Sequence, residues 1–212
     1  MRTISFAQRI PHPRVLIGAA LQHRLARAVT EVFAPVPTVA ALLVVMAWHT
    51  AATTADAVRW GLVAVLFASA IPFAYIISGV RRRRFSDHHV SVREQRPVVL
   101  LVGIVSVLVG VVLLVLLGAP RELVALVGAM AVGLMSSMAV TLFWKISVHA
   151  AVTSGAVVVL VVVFGPAMAV LGLVVALVAW ARVAIGDHTP AQAVAGIILG
   201  TAVAGTAFPL LR

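Results

Sequence analysis

The sequence predicts an all-α fold, a polytopic transmembrane helical bundle of about six to seven spans. Of its 212 residues, 63% are hydrophobic and only 10% are charged. Soluble domains carry about 25% charged residues, so this composition is typical of an integral membrane protein. The apolar residues also fall into runs of the length that a membrane helix needs, about 20 residues.

Cysteine and net charge narrow the classes of function. The chain has no cysteine, which excludes disulfides, thiolate metal sites and cysteine nucleophiles. Its formal charge is +10, from 16 Lys and Arg residues against 6 acids. In a soluble protein this excess would suggest nucleic acid. In a membrane protein the cations report orientation instead, so we expect no nucleic-acid partner.

Residues 1–34 form the N-terminal part of the predicted organisation, and residues 35–212 form one transmembrane domain. The stretch from Met1 to Arg14 lacks the apolar core of a signal peptide. The stretch from Val15 to Phe33 predicts an amphipathic helix, which we expect to lie in the headgroup plane as an interfacial helix. A solvated N-terminal helix is the alternative. The apolar side would hold Leu21, Leu25, Val29 and Val32, and the polar side His23, Arg27, Thr30 and Glu31.

Seven apolar runs are candidate spans. They cover approximately 35–52, 59–80, 98–118, 123–143, 148–164, 167–184 and 190–211. The stretch 118–122 predicts a tight turn, and Gly165-Pro166 separates the fifth run from the sixth. A single kinked helix over 148–184 is the alternative, but it would be about 55 Å long against a hydrocarbon core of about 30 Å. Gly196 and Gly200 are expected to be helix-packing positions.

Three polar segments interrupt these runs: 81–97, 144–149 and 182–192. Two spans separate each segment from the next, so all three are expected on one side of the membrane. Arg59, Arg121 and Arg212 are the cations assigned to the other side, and the remaining thirteen of the 16 lie with the segments. The positive-inside rule then predicts a cytoplasmic position for the segments, in a bacterial-type cell membrane.

The polar segments hold cations and imidazoles rather than carboxylates. They contain Arg96, Lys145, Arg182, His149 and His188. Arg and Lys donate charge-assisted hydrogen bonds to phosphate oxygens, and a histidine can act as nucleophile or proton donor. Mg²⁺ chemistry needs carboxylate ligands, which are few here, so we expect no metal and no cofactor. Two histidines that merely cap membrane helices are the alternative.

The spacing of these residues resembles the PAP2 superfamily, the type 2 phosphatidic acid phosphatases and their relatives. That family carries Lys-x6-Arg-Pro, then Pro-Ser-Gly-His, then Ser-Arg-x5-His-x3-Asp. The chain has Arg96-Pro97, then Ser147-Val148-His149, then Arg182, His188 and Gln192 at the third motif's spacing. The resemblance covers roughly residues 60–212.

The resemblance implies a phosphohistidine mechanism and a site residue by residue. His188 would be the nucleophile and His149 the proton donor to the leaving oxygen. Phosphate oxygens would be held by Arg96, Arg182 and Ser147, with Lys145 as an additional contact. Five positions depart from the pattern. Ile146, Val148 and Ala181 replace the family's Pro, Gly and Ser, and the other two departures concern the proposed chemistry directly. His89 stands where the family has Lys, and Gln192 stands where it has the Asp that orients the nucleophile. An amide oxygen can accept the Nδ1–H of His188, but it adds no negative charge.

We therefore expect a metal-independent hydrolase acting on a lipid phosphate monoester or diphosphate, such as a polyprenyl (di)phosphate or phosphatidic acid. Its partners would be this lipid substrate and the surrounding membrane lipids. A catalytically weak or inactive binder of lipid phosphate on the same scaffold is the alternative, because of Gln192 and His89. A transporter finds less support, since the polar segments lie at one interface.

Overall fold

The computed structural model describes the backbone of residues 13–212 and the side chains from residue 20 onward. Within that part the chain forms helices and turns, with no strand. The α-helices are α1 (Pro13–Val32), α2 (Pro35–Thr50), α3 (Thr54–Val65), α4 (Ile71–Arg81), α5 (Arg96–Leu116), α6 (Arg121–Phe143), α7 (Val148–Phe164), α8 (Gly172–Ala184) and α9 (Pro190–Leu211). The all-α prediction is confirmed.

Five helical stretches in the described residues are long and apolar enough to cross a membrane. They are Thr54–Arg81, Arg93–Leu116, Arg121–Phe143, Pro166–Ala184 and Pro190–Leu211. The bent pair Ala20–Val32 and Pro35–Thr50 makes a sixth if it is counted as one span. All seven predicted runs are helical, but α2 has 16 residues and α7 has 17. Helices of that length reach about 25 Å, at the lower limit for a span.

The predicted breaks between runs are present. Gly118 has a φ of 68° in the turn between α5 and α6. Gly165 has a φ of 94° and is followed by a 3₁₀-helix over Pro166–Leu171. Both glycines adopt the left-handed region that other residues avoid. Two separate helices over 148–184 are therefore confirmed.

The second predicted run lies in one helical stretch, Thr54–Arg81, but it contains an irregularity that was not predicted. A π-helical turn over Leu66–Ala70 separates α3 from α4. Pro72 is the second residue of α4 and has no backbone N–H to donate. Such π turns frequently occur at functional sites.

The N-terminal amphipathic pattern forms a helix, α1, but its buried side is not the predicted apolar side. Leu21, Leu25 and Val32 are each more than half exposed, whereas Ala26 and Thr30 are buried. α1 packs on α8, so small residues make the contact and the leucines point outward. The bend of 42° between α1 and α2 is far from the right angle expected for a helix in the headgroup plane. The interfacial location stays a prediction.

The apolar core lies at the end of the bundle away from the polar segments. Leu43, Met46, Leu114, Leu123 and Phe208 are fully buried there, contributed by α2, α5, α6 and α9. Arg59 and the Trp60 indole donate to the Leu117 carbonyl oxygen at this same end. We call it the opposite end, and the end that carries the polar segments the site end.

Candidate functional site

The site end brings the three polar segments into direct contact. The Nη1 of Arg96 donates to the Ile146 carbonyl oxygen at 2.8 Å. The Nζ of Lys145 donates to the Asp187 carbonyl oxygen at 2.7 Å. The backbone N–H of Ser147 donates to the Gln192 carbonyl oxygen at 3.2 Å. Each predicted segment is thus hydrogen-bonded to another, although they lie roughly fifty residues apart in sequence.

Two glycines set the distance between the helices that carry the histidines. A Cβ at Gly196 would overlap the Ser147 carbonyl oxygen, and one at Gly200 would overlap the Ala151 carbonyl oxygen. α7 and α9 therefore touch backbone to backbone, as expected for small residues in membrane helices. The contact lies within one turn of His149 and within two turns of Gln192. The predicted packing role of Gly196 and Gly200 is confirmed.

Arg182 is the most deeply buried charge of the site, with 1% of its surface exposed. Its Nη2 pairs with the Asp187 carboxylate at 2.7 Å. Its Nε and Nη1 are buried without a hydrogen-bond partner. An unpaired buried donor costs about 1–3 kcal/mol, so an acceptor that reached these two donors would bind favourably.

His188 lies between α8 and α9 and is buried. Burial, and then the cations Arg182, Arg96 and Lys145, lower the pKa of His188 to about 3. Its Nδ1 lies 3.3 Å from the Gln192 Oε1. The same amide oxygen accepts from the Thr189 backbone N–H at 3.1 Å, within the capping box that begins α9. The helix cap thus holds the amide at the ring of His188.

His149 is the second residue of α7 and is buried, with its Nε2 unpartnered. Arg182, His89, His188 and Arg96 all lie close enough to interact with it electrostatically. The ring of His89 meets the ring of His149 edge-on, with centroids 5.0 Å apart. The unpartnered nitrogens of His149 and Arg182 belong to one cluster of buried groups.

Three predicted phosphate contacts also have structural roles. Arg96 is buried and donates through Nε to the Val90 carbonyl oxygen, as well as to Ile146. Ser147 caps α7, because its hydroxyl oxygen accepts from the Ala150 backbone N–H. Lys145 donates to the Asp187 carbonyl oxygen. Its pKa is lowered by burial and then by the charge of Arg96. These side chains fix the loops of the site, whatever ligand it binds.

Sequence reasoning missed the role of Glu31, at the end of α1. Its carboxylate lies 3.0 Å from the His89 Nε2 and 3.3 Å from the His88 Nε2. The partners are 57 and 58 residues apart, and no spacing rule connects them. The ligand atoms of Glu31, His88 and His89 lie within 4.8 Å of one another, so the three can hold a metal ion. No metal was predicted from the sequence.

Asp87 organises the loop that presents these histidines. Its carboxylate accepts from the backbone N–H groups of His89 and Ser91, at 2.8 and 3.2 Å. Partial burial raises the pKa of Asp87, but hydrogen bonds from Ser86, Ser91 and His89 outweigh it, and the net shift is downward. Burial is the largest cause that lowers the pKa of His89, and the Glu31 carboxylate opposes it. Asp87 therefore serves the loop and does not replace the carboxylate missing at Gln192.

A cavity of about 430 Å³ extends from the site end into the bundle. Glu31, His88, His89, Arg96 and His149 line its charged end. Below them its walls are apolar and come from α2, α4, α5, α6, α7 and α9. Arg182 and His188 do not line the cavity, but they lie beside His149, which does.

Comparisons of the chain with protein-family models, with curated proteins and with solved structures found no match. The resemblance to the PAP2 superfamily therefore stays a prediction from the sequence motifs. The class that the fold itself defines is a helical protein with several helices apolar enough for a membrane and a buried cluster of cations and histidines at one end.

Proposed function

We propose that the protein is a metal-independent membrane phosphatase that hydrolyses a lipid phosphate monoester or diphosphate through a phosphohistidine intermediate. The observation that carries the proposal is the pair of unpartnered buried donors on Arg182, beside the unpartnered Nε2 of His149. Two free donors on one guanidinium suit a tetrahedral oxyanion, because an oxyanion has several oxygens that can accept hydrogen bonds.

Charge supports the same ligand. Arg96, Lys145 and Arg182 bring three cations together at the site. Asp187 pairs with Arg182, whereas Asp87 is hydrogen-bonded within its own loop and Glu31 contacts His88 and His89. The guanidinium of Arg182 therefore keeps two donors that an anionic phosphate can engage. Because the apolar cavity begins at this cluster, the phosphate is proposed to belong to a lipid. Polyprenyl (di)phosphates and phosphatidic acid are the candidate substrates.

The geometry also suits His188 as nucleophile. With Nδ1–H donated to the Gln192 amide oxygen, the lone pair of the imidazole is on Nε2. The pKa of about 3 keeps this ring neutral at physiological pH. In the proposed reaction Nε2 bonds to phosphorus, the bond from phosphorus to the lipid oxygen breaks, and His149 protonates that oxygen. Water then attacks phosphorus and gives a proton back to His149, the bond from the His188 Nε2 to phosphorus breaks, and phosphate leaves. The cations stabilise the oxyanion in both steps.

We further propose that this end faces the cytoplasm of a bacterial-type cell. The described cations Arg81 to Arg84, Arg93, Arg96, Lys145 and Arg182 occur at or next to the three polar segments, whereas Arg59, Arg121 and Arg212 form contacts at the opposite end. Positive residues accumulate on cytoplasmic loops. The substrate would then come from the inner leaflet.

One observation favours a catalytically weak phosphate binder as the second candidate. The residue that contacts the His188 Nδ1 is an amide, Gln192, and its oxygen is shared with the Thr189 backbone N–H. An amide fixes the tautomer but does not stabilise the imidazolium that forms during attack. In a serine protease, an Asp-to-amide change at the equivalent role lowers kcat by about 10⁴.

The test is phosphate release in detergent from phosphatidic acid, a prenyl monophosphate and a prenyl diphosphate, with EDTA present. We expect release from the natural protein, none from His188→Ala, and natural rates from His49→Ala, whose histidine lies at the opposite end. Release that His188→Ala does not reduce, or that EDTA abolishes, contradicts the proposal. EDTA also removes any ion held by Glu31, His88 and His89.

If the natural protein releases no phosphate, two further measurements separate the candidates. If the natural protein binds inorganic phosphate and Gln192→Asp gains turnover, the protein is the binder. If inorganic phosphate stabilises neither the natural protein nor His188→Ala against thermal unfolding, both candidates are wrong.

A further inference from the structure

The walls of the cavity indicate which chemical group of the ligand lies beyond the phosphate. This inference rests on the proposed function for the phosphate itself. Its apolar lining includes small residues at facing positions on four helices: Gly103 on α5, Ala129 and Gly133 on α6, Gly155 and Ala156 on α7, and Gly200 and Ala204 on α9. Gly155 and Gly200 lie where α7 and α9 touch, whereas the small side chains of Gly103, Gly133 and Ala129 leave space between α5 and α6 and their neighbours. Tightly packed interiors rarely leave such space without a ligand.

The dimensions suit one hydrocarbon chain. The lining reaches from Arg96 to Val107 on α5, about 16 Å at a rise of about 1.5 Å per residue. It reaches from His149 to Val159 on α7, about 15 Å by the same rule. Both helices therefore give a depth of about half the hydrocarbon core of a membrane, which is about 30 Å thick.

The volume gives an independent measure of the ligand. The cavity of about 430 Å³ is close to three times the roughly 150 Å³ cavity that holds one benzene molecule. By that ratio it has room for on the order of 15 carbons. Two acyl chains of ordinary length do not fit together.

The cavity also has a side from which a chain can enter. α2 packs on α3 and α7, while α4 packs on α5. Lining residues from α2 and α4, including Pro37 and Ile76, are partly or fully exposed. Two contacts cross between these sides: Ser69 Oγ donates to the Val36 carbonyl oxygen at 3.1 Å, and Glu31 meets His88 and His89. α2 and α4 are not among the helix pairs that pack closely on each other, so the space between them is the proposed entry for a chain.

We propose that this cavity binds one alkyl or prenyl chain of the lipid phosphate, entering between α2 and α4, and seats about its first 15 carbons. Arg96 and His149 line the charged end, so the phosphate lies at the cation cluster while the chain follows the apolar walls. A second chain, or the remainder of a longer one, stays in the bilayer. The cavity thus selects by the shape of the lipid near the phosphate.

Photolabelling tests the position of the chain directly. A hexadecyl phosphonate, which has no ester oxygen to hydrolyse, would carry a diazirine at its terminal carbon and be added to the protein in lipid nanodiscs. We expect crosslinks to cavity residues at the depth of Ala129 and Val203. Crosslinks confined to exposed residues such as Leu108 and Val112 would overturn the proposal, because those face away from the cavity.

A pair of substitutions provides the matched control. Ala129→Leu fills the cavity, and we expect at least tenfold less labelling. Gly205→Leu adds a larger side chain at an exposed α9 position that does not line the cavity, and we expect no change. Equal labelling of both variants contradicts the proposal. The natural protein's crosslinks decide the matter if Ala129→Leu does not fold.

A hexadecanol carrying the same diazirine separates failure of this inference from failure of the proposed function. It lacks phosphate, so its labelling reports the cavity alone. Cavity crosslinks from the alcohol, without phosphate release from any lipid phosphate, would leave the chain site standing and remove the phosphatase. Phosphate release combined with labelling only on the lipid-facing surface would support the phosphatase and contradict the chain site.

Discussion

The two ends of the bundle handle charge in opposite ways. At the opposite end each arginine has a partner in solvent: Arg59 with Asp56, Arg212 with Glu122, and Arg121 with the Leu211 carbonyl oxygen. At the site end Arg96 and Arg182 are buried, and Arg182 keeps two donors unpaired. An arrangement that only had to fold would resemble the first end. Under the proposed function, the second end gives up some stability in exchange for donors that an anion can engage.

The largest expected difference concerns Arg182 and Arg59. Arg182→Met removes two unpaired donors and a like charge beside Arg96, but it also removes the ion pair with Asp187. We therefore expect the unfolding free energy of the ligand-free protein to change by no more than about 1 kcal/mol. We expect it to lose the stabilisation by inorganic phosphate, which for the natural protein is about 2.7 kcal/mol at a hundredfold excess over Kd. Thermal unfolding in detergent, with and without phosphate, measures both changes.

Arg59→Met is the matched control for that prediction. Its ion pair with Asp56 is half exposed at 3.0 Å, and such pairs contribute about 0.2–1 kcal/mol. Phosphate should stabilise this variant as much as the natural protein. If instead Arg182→Met costs about 3 kcal/mol without phosphate, then Arg182 is a structural ion pair with Asp187, and the contrast between the two ends is wrong.

The second expected effect compares two glycines of α9. The Cβ of Gly200→Ala would overlap the Ala151 carbonyl oxygen, so α7 and α9 must move apart at a cost of about 1–3 kcal/mol. Gly205→Ala meets only the Val158 Cγ1, at 3.9 Å, and should gain about 0.5 kcal/mol from helix propensity. Denaturation in detergent compares the two.

The displacement of α7 adds a functional consequence. Because Gly200 contacts the turn that follows His149, Gly200→Ala should also slow phosphate release, whereas Gly205→Ala should not. Full activity in a destabilised Gly200→Ala would show that the spacing of α7 and α9 does not position His149.

These comparisons show what the sequence can and cannot predict. Long apolar runs determine helices by length and composition alone, so the seven runs and their breaks at Gly118 and Gly165 were predictable. Parity of spans was enough to bring Arg96, Lys145 and His188 to one end. The spacing Arg182, His188 and Gln192 was enough to place the amide at the imidazole.

Contacts that depend on packing between distant helices were not predictable. Glu31 lies on the polar side of a helix whose contact surface turned out to be Ala26 and Thr30. Its position beside His88 and His89 follows from the packing of α1 on α8 and from the 42° bend after it. The cavity likewise depends on which small residues face one another, and composition records only that Gly and Ala are abundant.

The smallest expected effect is a pH dependence confined to the site end. The pKa of His188 is lowered to about 3 in the folded protein, against about 6.5 in an unfolded chain. Below pH 6.5 the unfolded state therefore binds a proton that the folded state does not, and stability falls with pH until about pH 3. At pH 5 the loss from this residue should be about 1–2 kcal/mol relative to pH 7.

His188→Gln, which cannot be protonated, should lose less stability than the natural protein between pH 7 and pH 5. His49→Gln at the opposite end keeps His188 and should lose as much as the natural protein. Melting temperatures of the three proteins at pH 7 and pH 5 measure these losses of stability. If all three proteins lost the same stability, His188 would be solvated and charged in the folded state, as an ordinary loop histidine is.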